Sequence, residues 1–219
     1  MYFLFHPISS LNHLAARLVT DQISFIISII FFIVIALNYK KTFWQNIDSS
    51  TAEWAVKPRE SLVKNISANF ALFGNAVFHI LFSIVFALIL FLTKHTASMI
   101  FAILFTLIFS WGLNRLMKLI YKRERPEHIN HNVRKRLSYC FPSGHVMASI
   151  SIYFFSAVLL QNFIPFLPWY LISFVISFFV IMSRIYLNHH YFTDVLAGIA
   201  MGIFCLNISI WFYFFIGLI

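Results

Sequence analysis

From residue 195 to residue 219 the chain carries no charged side chain at all. About 20 helical residues of this kind cross a hydrocarbon core about 30 Å thick. Five further stretches are long and apolar enough to do the same, at about 22–39, 69–92, 97–121, 144–161 and 165–187. Backbone polar groups in lipid must bond within their own segment, so these read as helices rather than open strands. The alternation of a membrane barrel is absent. The predicted fold class is therefore all-α, a polytopic membrane protein with six transmembrane helices. Composition agrees, since a soluble domain of 219 residues cannot hide a chain that is 61% hydrophobic, 19% aromatic and only 11% charged.

Residues 1–21 do not read as a cleaved signal. Arg17 follows the apolar start, and no small-residue cleavage site closes an apolar core. They read instead as an amphipathic segment at the interface, with Phe3, Leu4, Phe5 and, further on, Trp44 at headgroup depth. Cys140 lies in a loop and Cys205 in a span, so no disulfide framework is expected. With no repeat and no flexible linker, residues 1–219 read as one domain.

The net charge is +9. In a membrane chain this points to anionic headgroups or an anionic substrate, not to nucleic acid. The charges are unevenly placed. Lys40, Lys41, Lys57, Arg59 and Lys64 lie between the first two spans, and Lys122, Arg123, Arg125, Arg134, Lys135 and Arg136 follow the third. The second connection holds only Lys94, and the fourth holds no charge. With six helices, the first, third and fifth connections share one membrane face, which then carries nearly all the ionisable chemistry.

Three clusters stand on that face. In the first, Lys118 and Arg125 are seven residues apart, and a helix continuing through both projects them from one side before Pro126 ends or bends it. The ordinary reading is positive flanking of a membrane helix. The second, Pro142-Ser143-Gly144-His145, directly precedes the fourth helix, where free N–H groups and the helix dipole favour a phosphate. Ser143 also reads as that helix's N-cap. His145, just inside a span, is costly unless paired or facing water. The third runs from Ser183 and Arg184 through His189 and His190 to Asp194. On a helical turn His190 and Asp194 share one face, where a carboxylate on one ring nitrogen fixes the tautomer and frees the other to attack. Lys118, Arg125 and Arg184 would repel one another if gathered without an anion, and phosphate matches the arginine fork.

Taken together, the clusters resemble the signature of the type 2 phosphatidic acid phosphatase superfamily. That signature is a lysine, six residues and Arg-Pro, then Pro-Ser-Gly-His, then Ser-Arg, five residues, a histidine, three residues and an aspartate. Lys118, Arg125, Pro126, Pro142, Ser143, Gly144, His145, Ser183, Arg184, His190 and Asp194 match it in order and spacing over about 77 residues. The resemblance implies a helical core shared with the haloperoxidases and a phosphoryl transfer that needs no metal and no cofactor. It implies His190 as nucleophile, Asp194 as its orienting group, and His145 as the acid that protonates the leaving oxygen and then activates water. Lys118, Arg125, Ser143, Gly144 and Arg184 would hold the phosphate. Positioning and stabilisation of equatorial oxygens, which dominate phosphoryl transfer, suit these residue types.

His189 is one residue out of register and reads as a bystander. His79 and Asn75 read as hydrogen-bonding groups between helices. Arg115 and Lys122 read as facing headgroups or lining the site, and Cys140 does not read as a nucleophile. The expected partners are a phosphorylated lipid and the surrounding membrane lipids. The expected function is hydrolysis of a phosphomonoester or pyrophosphate on a lipid such as phosphatidic acid, phosphatidylglycerophosphate, undecaprenyl pyrophosphate or lipid A. A lipid phosphotransferase would use the same residues, and an anion or lipid transporter would need the cations but not the histidines. The expected location is a bacterial inner membrane. The positive-inside rule favours a cytoplasmic site, whereas the resemblance favours the periplasmic face.

Overall fold

The computed structural model describes residues 7–57, 61–126, 139–161 and 163–217, the side chains of residues 7–21, 61 and 62 excepted. Phe3, Leu4, Phe5 and the side chain of Arg17, expected at the interface, lie outside the described residues, as do Arg59, Arg134, Lys135 and Arg136. Eight helices are described: α1 (Pro7–Asn38), α2 (Thr42–Val56), α3 (Ser61–Phe73), α4 (Ala76–Leu92), α5 (Ala97–Tyr121), α6 (Gly144–Gln161), α7 (Trp169–Tyr186) and α8 (Phe192–Gly217). No strand occurs among the described residues.

Four of these helices, α5 to α8, are long and apolar enough to cross a membrane on their own. The count reaches six if each of two bent pairs is one span. The first expected span corresponds to the second half of α1, but the chain then turns by 90° into α2, a helix the polar connection had not suggested. The second span is broken. α3 and α4 meet at 49° around Gly74 and Asn75. Asn75, expected as a group linking helices, instead caps α4, its side chain accepting a bond from the Val77 N–H.

α6 is the central helix and packs against α8, α7 and α5. Its sequence is apolar around most of its circumference, and two of its hydroxyls are satisfied locally. Ser151 and Ser156 donate to the carbonyls of Met147 and Ile152 one turn earlier. The peripheral helices instead turn side chains such as Phe101, Ile108, Leu171 and Phe174 outward. In lipid, apolar surface gives no drive to pack helix on helix, so close approach through small residues takes over. Gly198 and Gly202 supply it on α8. A Cβ on Gly198 would lie 2.8 Å from the Ser143 carbonyl oxygen, and one on Gly202 would lie 2.8 Å from Ile150 Cβ. The start of α6 is thereby pressed against the start of α8.

Gly198→Ala should cost about 1–3 kcal/mol, the usual scale of overpacking, because its new methyl meets backbone that cannot swing away. The measurement is the thermal midpoint of the detergent-solubilised protein. Gly112→Ala, with nothing within 4 Å of the added carbon, is the control and should not lower it. Equal midpoints for both variants would contradict the close α6–α8 contact.

Candidate active site

The turn between α7 and α8 is built from backbone bonds. The N–H groups of Leu187, Asn188 and His189 return to the carbonyls of Ser183, Ile185 and Arg184. Asn188 takes the left-handed conformation at φ 52°, which asparagine tolerates better than most residues. The turn delivers His190 just ahead of α8. Asp194 lies in the first turn of α8, where a negative charge faces the positive end of the helix dipole. Its Oδ2 accepts a bond from the Tyr191 N–H at 3.1 Å, closing the helix start.

His190 Nδ1 stands 3.5 Å from the same Oδ2. The two residues are not on one helical turn as the spacing suggested, because α8 begins only at Phe192 and the pair is closed by the turn before it. At 3.5 Å the contact is an ion-pair distance rather than a formed hydrogen bond. Burial holds the His190 pKa below its ordinary 6.5, against the pull of Asp194. The ring is therefore neutral near pH 7, as a nucleophile must be.

The loop before α6 is tied to the same place. The Ser143 N–H donates to the Asp194 carbonyl at 3.0 Å. Ser143 occupies the N-cap position, yet its hydroxyl makes no capping bond and is buried without a partner. Asn114, one turn before Lys118, donates from Nδ2 to the Pro142 carbonyl at 3.1 Å. A Cβ on Gly144 would fall 2.6 Å from Asn114 Oδ1, so a larger residue there would displace the Asn114 amide. Burial apart, the groups acting electrostatically on His145 are Arg184, His190, His79 and Lys118. His79 bridges α4 to α6 through a 3.3 Å contact between Nε2 and Ser149 Oγ.

The cations arrive from three segments. Lys118 is in the last turn of α5, within electrostatic reach of Arg125, Cys140, Asp194 and Arg115. Arg125 is not on that helix, contrary to the expectation. α5 stops at Tyr121, Lys122 takes the left-handed conformation at φ 48°, and residues 122–126 belong to no helix. Arg125 instead donates from Nη1 to the His189 carbonyl at 3.1 Å. Arg184, in the last turn of α7, is buried, and its Nη2 has no partner among the described residues. Asn188 Nδ2 is likewise buried and unpartnered. An unmade bond at a buried donor is costly, and three such donors, Ser143 Oγ, Arg184 Nη2 and Asn188 Nδ2, stand around these histidines' segments. They are suited to an oxyanion.

Lys122 and Arg115 are exposed. The His189 ring is pushed down to about 4 by burial and by Arg184 and Arg125. Cys140 donates to the Glu124 carbonyl, and burial together with Asp194 raises its pKa, so no thiolate forms. Two residues escaped the sequence reading. Arg123 reaches Asp194 Oδ1 and Asp48 Oδ2, each at 2.7 Å, and Asp48 comes from α2. Arg123 stood in view inside the first cluster, but nothing in the pattern around Asp48 marked it. Among the described residues no three His, Cys, Asp or Glu side chains converge as metal ligands.

Residues 96–217 match the PAP2 superfamily. Phosphatidylglycerophosphatase B of Bacillus subtilis (strain 168) is 28% identical over 181 residues, covering 80% of this chain and 87% of its own. The crystal structure of the first transmembrane PAP2 type phosphatidylglycerolphosphate phosphatase from Bacillus subtilis superposes with a TM-score of 0.79. It has 25% sequence identity and covers 86% of this chain and 95% of that one.

Orthovanadate, a tetrahedral oxyanion, should raise the thermal midpoint of the purified protein. Arg184→Ala should weaken that binding at least tenfold, since a hydrogen bond to a charged group contributes about 1.5–3 kcal/mol and about 1.4 kcal/mol is tenfold. An undiminished vanadate response in Arg184→Ala would refute an oxyanion site at its unpartnered Nη2.

Proposed function

The chain belongs to the PAP2 superfamily, and from that premise we propose that it is an integral membrane lipid phosphatase acting on phosphatidylglycerophosphate. The observation that carries the reading is a buried histidine, neutral near pH 7 and backed by a carboxylate, with buried donors on Ser143 and Asn188, two residues from His145 and His190, that have no partner among the described residues. The substrate follows from the names of the two relatives, and it suits an interfacial site, with phosphate at headgroup depth and acyl chains in lipid.

In the proposed reaction Nε2 of His190 attacks phosphorus, and a P–N bond forms as the P–O bond to the lipid alcohol breaks. His145 gives its proton to the departing oxygen. Asp194 holds Nδ1–H of His190 and offsets the positive charge the ring acquires. His145 then takes a proton from water, whose oxygen attacks the phosphohistidine, releasing inorganic phosphate and restoring His190. Lys118, Arg125, Arg184, Ser143 and the Gly144 N–H hold the equatorial oxygens through both steps. No metal takes part in this scheme.

We place the site at the periplasmic face of the bacterial inner membrane. That placement rests on the family resemblance; setting aside the cations with duties in the site, Arg123 among them, reduces the positive-inside count but leaves Lys40, Lys41, Lys57, Arg59 and Lys64 in it.

His190→Ala and His145→Ala should each lower phosphate release from phosphatidylglycerophosphate at least about 10²-fold, with normal membrane insertion and no effect of chelators on the wild type. Near-wild-type turnover by either variant contradicts the nucleophile and acid roles of these two histidines. Because His190 must be neutral, the acid limb of kcat/KM should lie below its ordinary 6.5. A membrane-impermeant thiol reagent should label Ser49→Cys in intact cells. Position 49 is exposed on α2 and both native cysteines are buried. Labelling only after the membrane is broken would put the site in the cytoplasm.

A further inference from the structure

We propose that Arg123 and Asp48 are positioning residues for the reaction, a buried clamp that sets the orientation and charge of Asp194 and, through it, of His190. This rests on His190 as the nucleophile and Asp194 as its orienting group. Asp194 uses its two oxygens separately. Oδ2 faces the Tyr191 N–H and His190 Nδ1, while Oδ1 takes Nη1 of Arg123 at 2.7 Å. The same Nη1 lies 2.7 Å from Thr193 Oγ1, and Nη2 lies 2.7 Å from Asp48 Oδ2. Asp48 in turn accepts from the Thr193 N–H at 2.9 Å and from the Thr193 hydroxyl at 2.6 Å. One guanidinium therefore joins α2 to the first turn of α8.

The carboxylates of the clamp are buried and its arginine is largely covered. Asp48 is 2% exposed and Asp194 0%. Arg123 is packed between two rings, 4.8 Å from the centre of Tyr39 and 4.2 Å from that of Tyr191. A lysine has one point charge and no fork, so it cannot bridge two carboxylates in this way. Fixing Oδ1 stops the carboxylate rotating about its terminal bond, so Oδ2 stays directed at the ring. The charges also act in opposite senses on imidazolium at position 190. Arg123 disfavours it, and Asp48 favours it. Asp194, Arg125 and Lys118 also act on His190, and His145 and Cys140 face the same pair. Arg125, Lys118, His145 and Cys140 are retained in every clamp variant, so the change reaches His190 through Asp194 and through the altered clamp charge.

The test is steady-state hydrolysis of phosphatidylglycerophosphate by the full-length protein in detergent, for wild type, Arg123→Gln, Arg123→Lys and Asp48→Asn. Thermal midpoints are measured alongside. Misplacement of a reacting group by about an ångström costs up to roughly 10²-fold. Arg123→Gln and Arg123→Lys should accordingly lose at least about tenfold in kcat with KM nearly unchanged. The acid limb of kcat/KM should move to higher pH in Arg123→Gln and to lower pH in Asp48→Asn. A role limited to folding would lower the midpoint and the amount of active enzyme but leave both limbs in place, and that result overturns the proposal. So does kcat within twofold of wild type in folded Arg123→Gln. If Arg123→Gln does not fold, Arg123→Lys and Asp48→Asn decide by the same criteria. Failure of the underlying reading is distinguishable, because His190→Ala would then retain activity whatever the clamp variants do.

Discussion

A carboxylate with no exposed surface at the start of a membrane helix is tolerable only if its charge is answered by fixed neighbours. Asp194 is in that position, and the architecture of this face follows from how it is answered. Its side chain is held by Arg123, the Tyr191 N–H and the His190 ring, and its carbonyl accepts from the Ser143 N–H. These partners come from the segment after α5, the turn before α8 and the loop before α6. Asp48 brings α2 to the same point through Arg123. The candidate site is thus assembled around the first turn of α8, and each segment that meets there contributes a group from the matched signature or from the clamp.

Such an assembly needs the helices beneath it to be fixed to within a fraction of an ångström. Lipid offers little help, since hydrocarbon solvates leucine and phenylalanine as well as a neighbouring helix does. Gly198 and Gly202 resolve this at the one interface that matters most for the chemistry. They let the backbone of α6 approach α8 directly below Ser143. Asn114 performs a related service from α5, holding the Pro142 carbonyl and lying against Gly144. The bulky outward side chains have no comparable geometric demand, which is why phenylalanine is so abundant there.

The helices of the core were legible because hydrophobicity over a span is a property of many residues at once. α5 and α6 begin and end where the apolar runs do. The motif residues were legible through spacing. What spacing concealed was the path between them. Lys122 turns left-handed without a glycine to announce it, so Arg125 reaches the site from a nonhelical segment and not from the helix that carries Lys118. Asp48 was illegible for a different reason. A single acid in a polar connection has no period, and its meaning arises only when a 90° turn lays α2 over the start of α8.

The clamp also bears on how a cationic site avoids quenching itself. A buried carboxylate left unpaired is a ready partner for a buried guanidinium, and such a pair would occupy donors that an oxyanion needs. Arg123 removes that possibility by engaging Asp194 Oδ1 from the side away from His190, while Asp48 balances the excess positive charge of the guanidinium. Arg184 Nη2 and the Ser143 hydroxyl are left with unmade bonds. Their desolvation cost is carried by the fold until a ligand relieves it, and preorganised donors of this kind stabilise a developing charge without having to rearrange. The paired carboxylates and the unpartnered donors are therefore two sides of one electrostatic arrangement, in which satisfying the acids internally keeps the cations available.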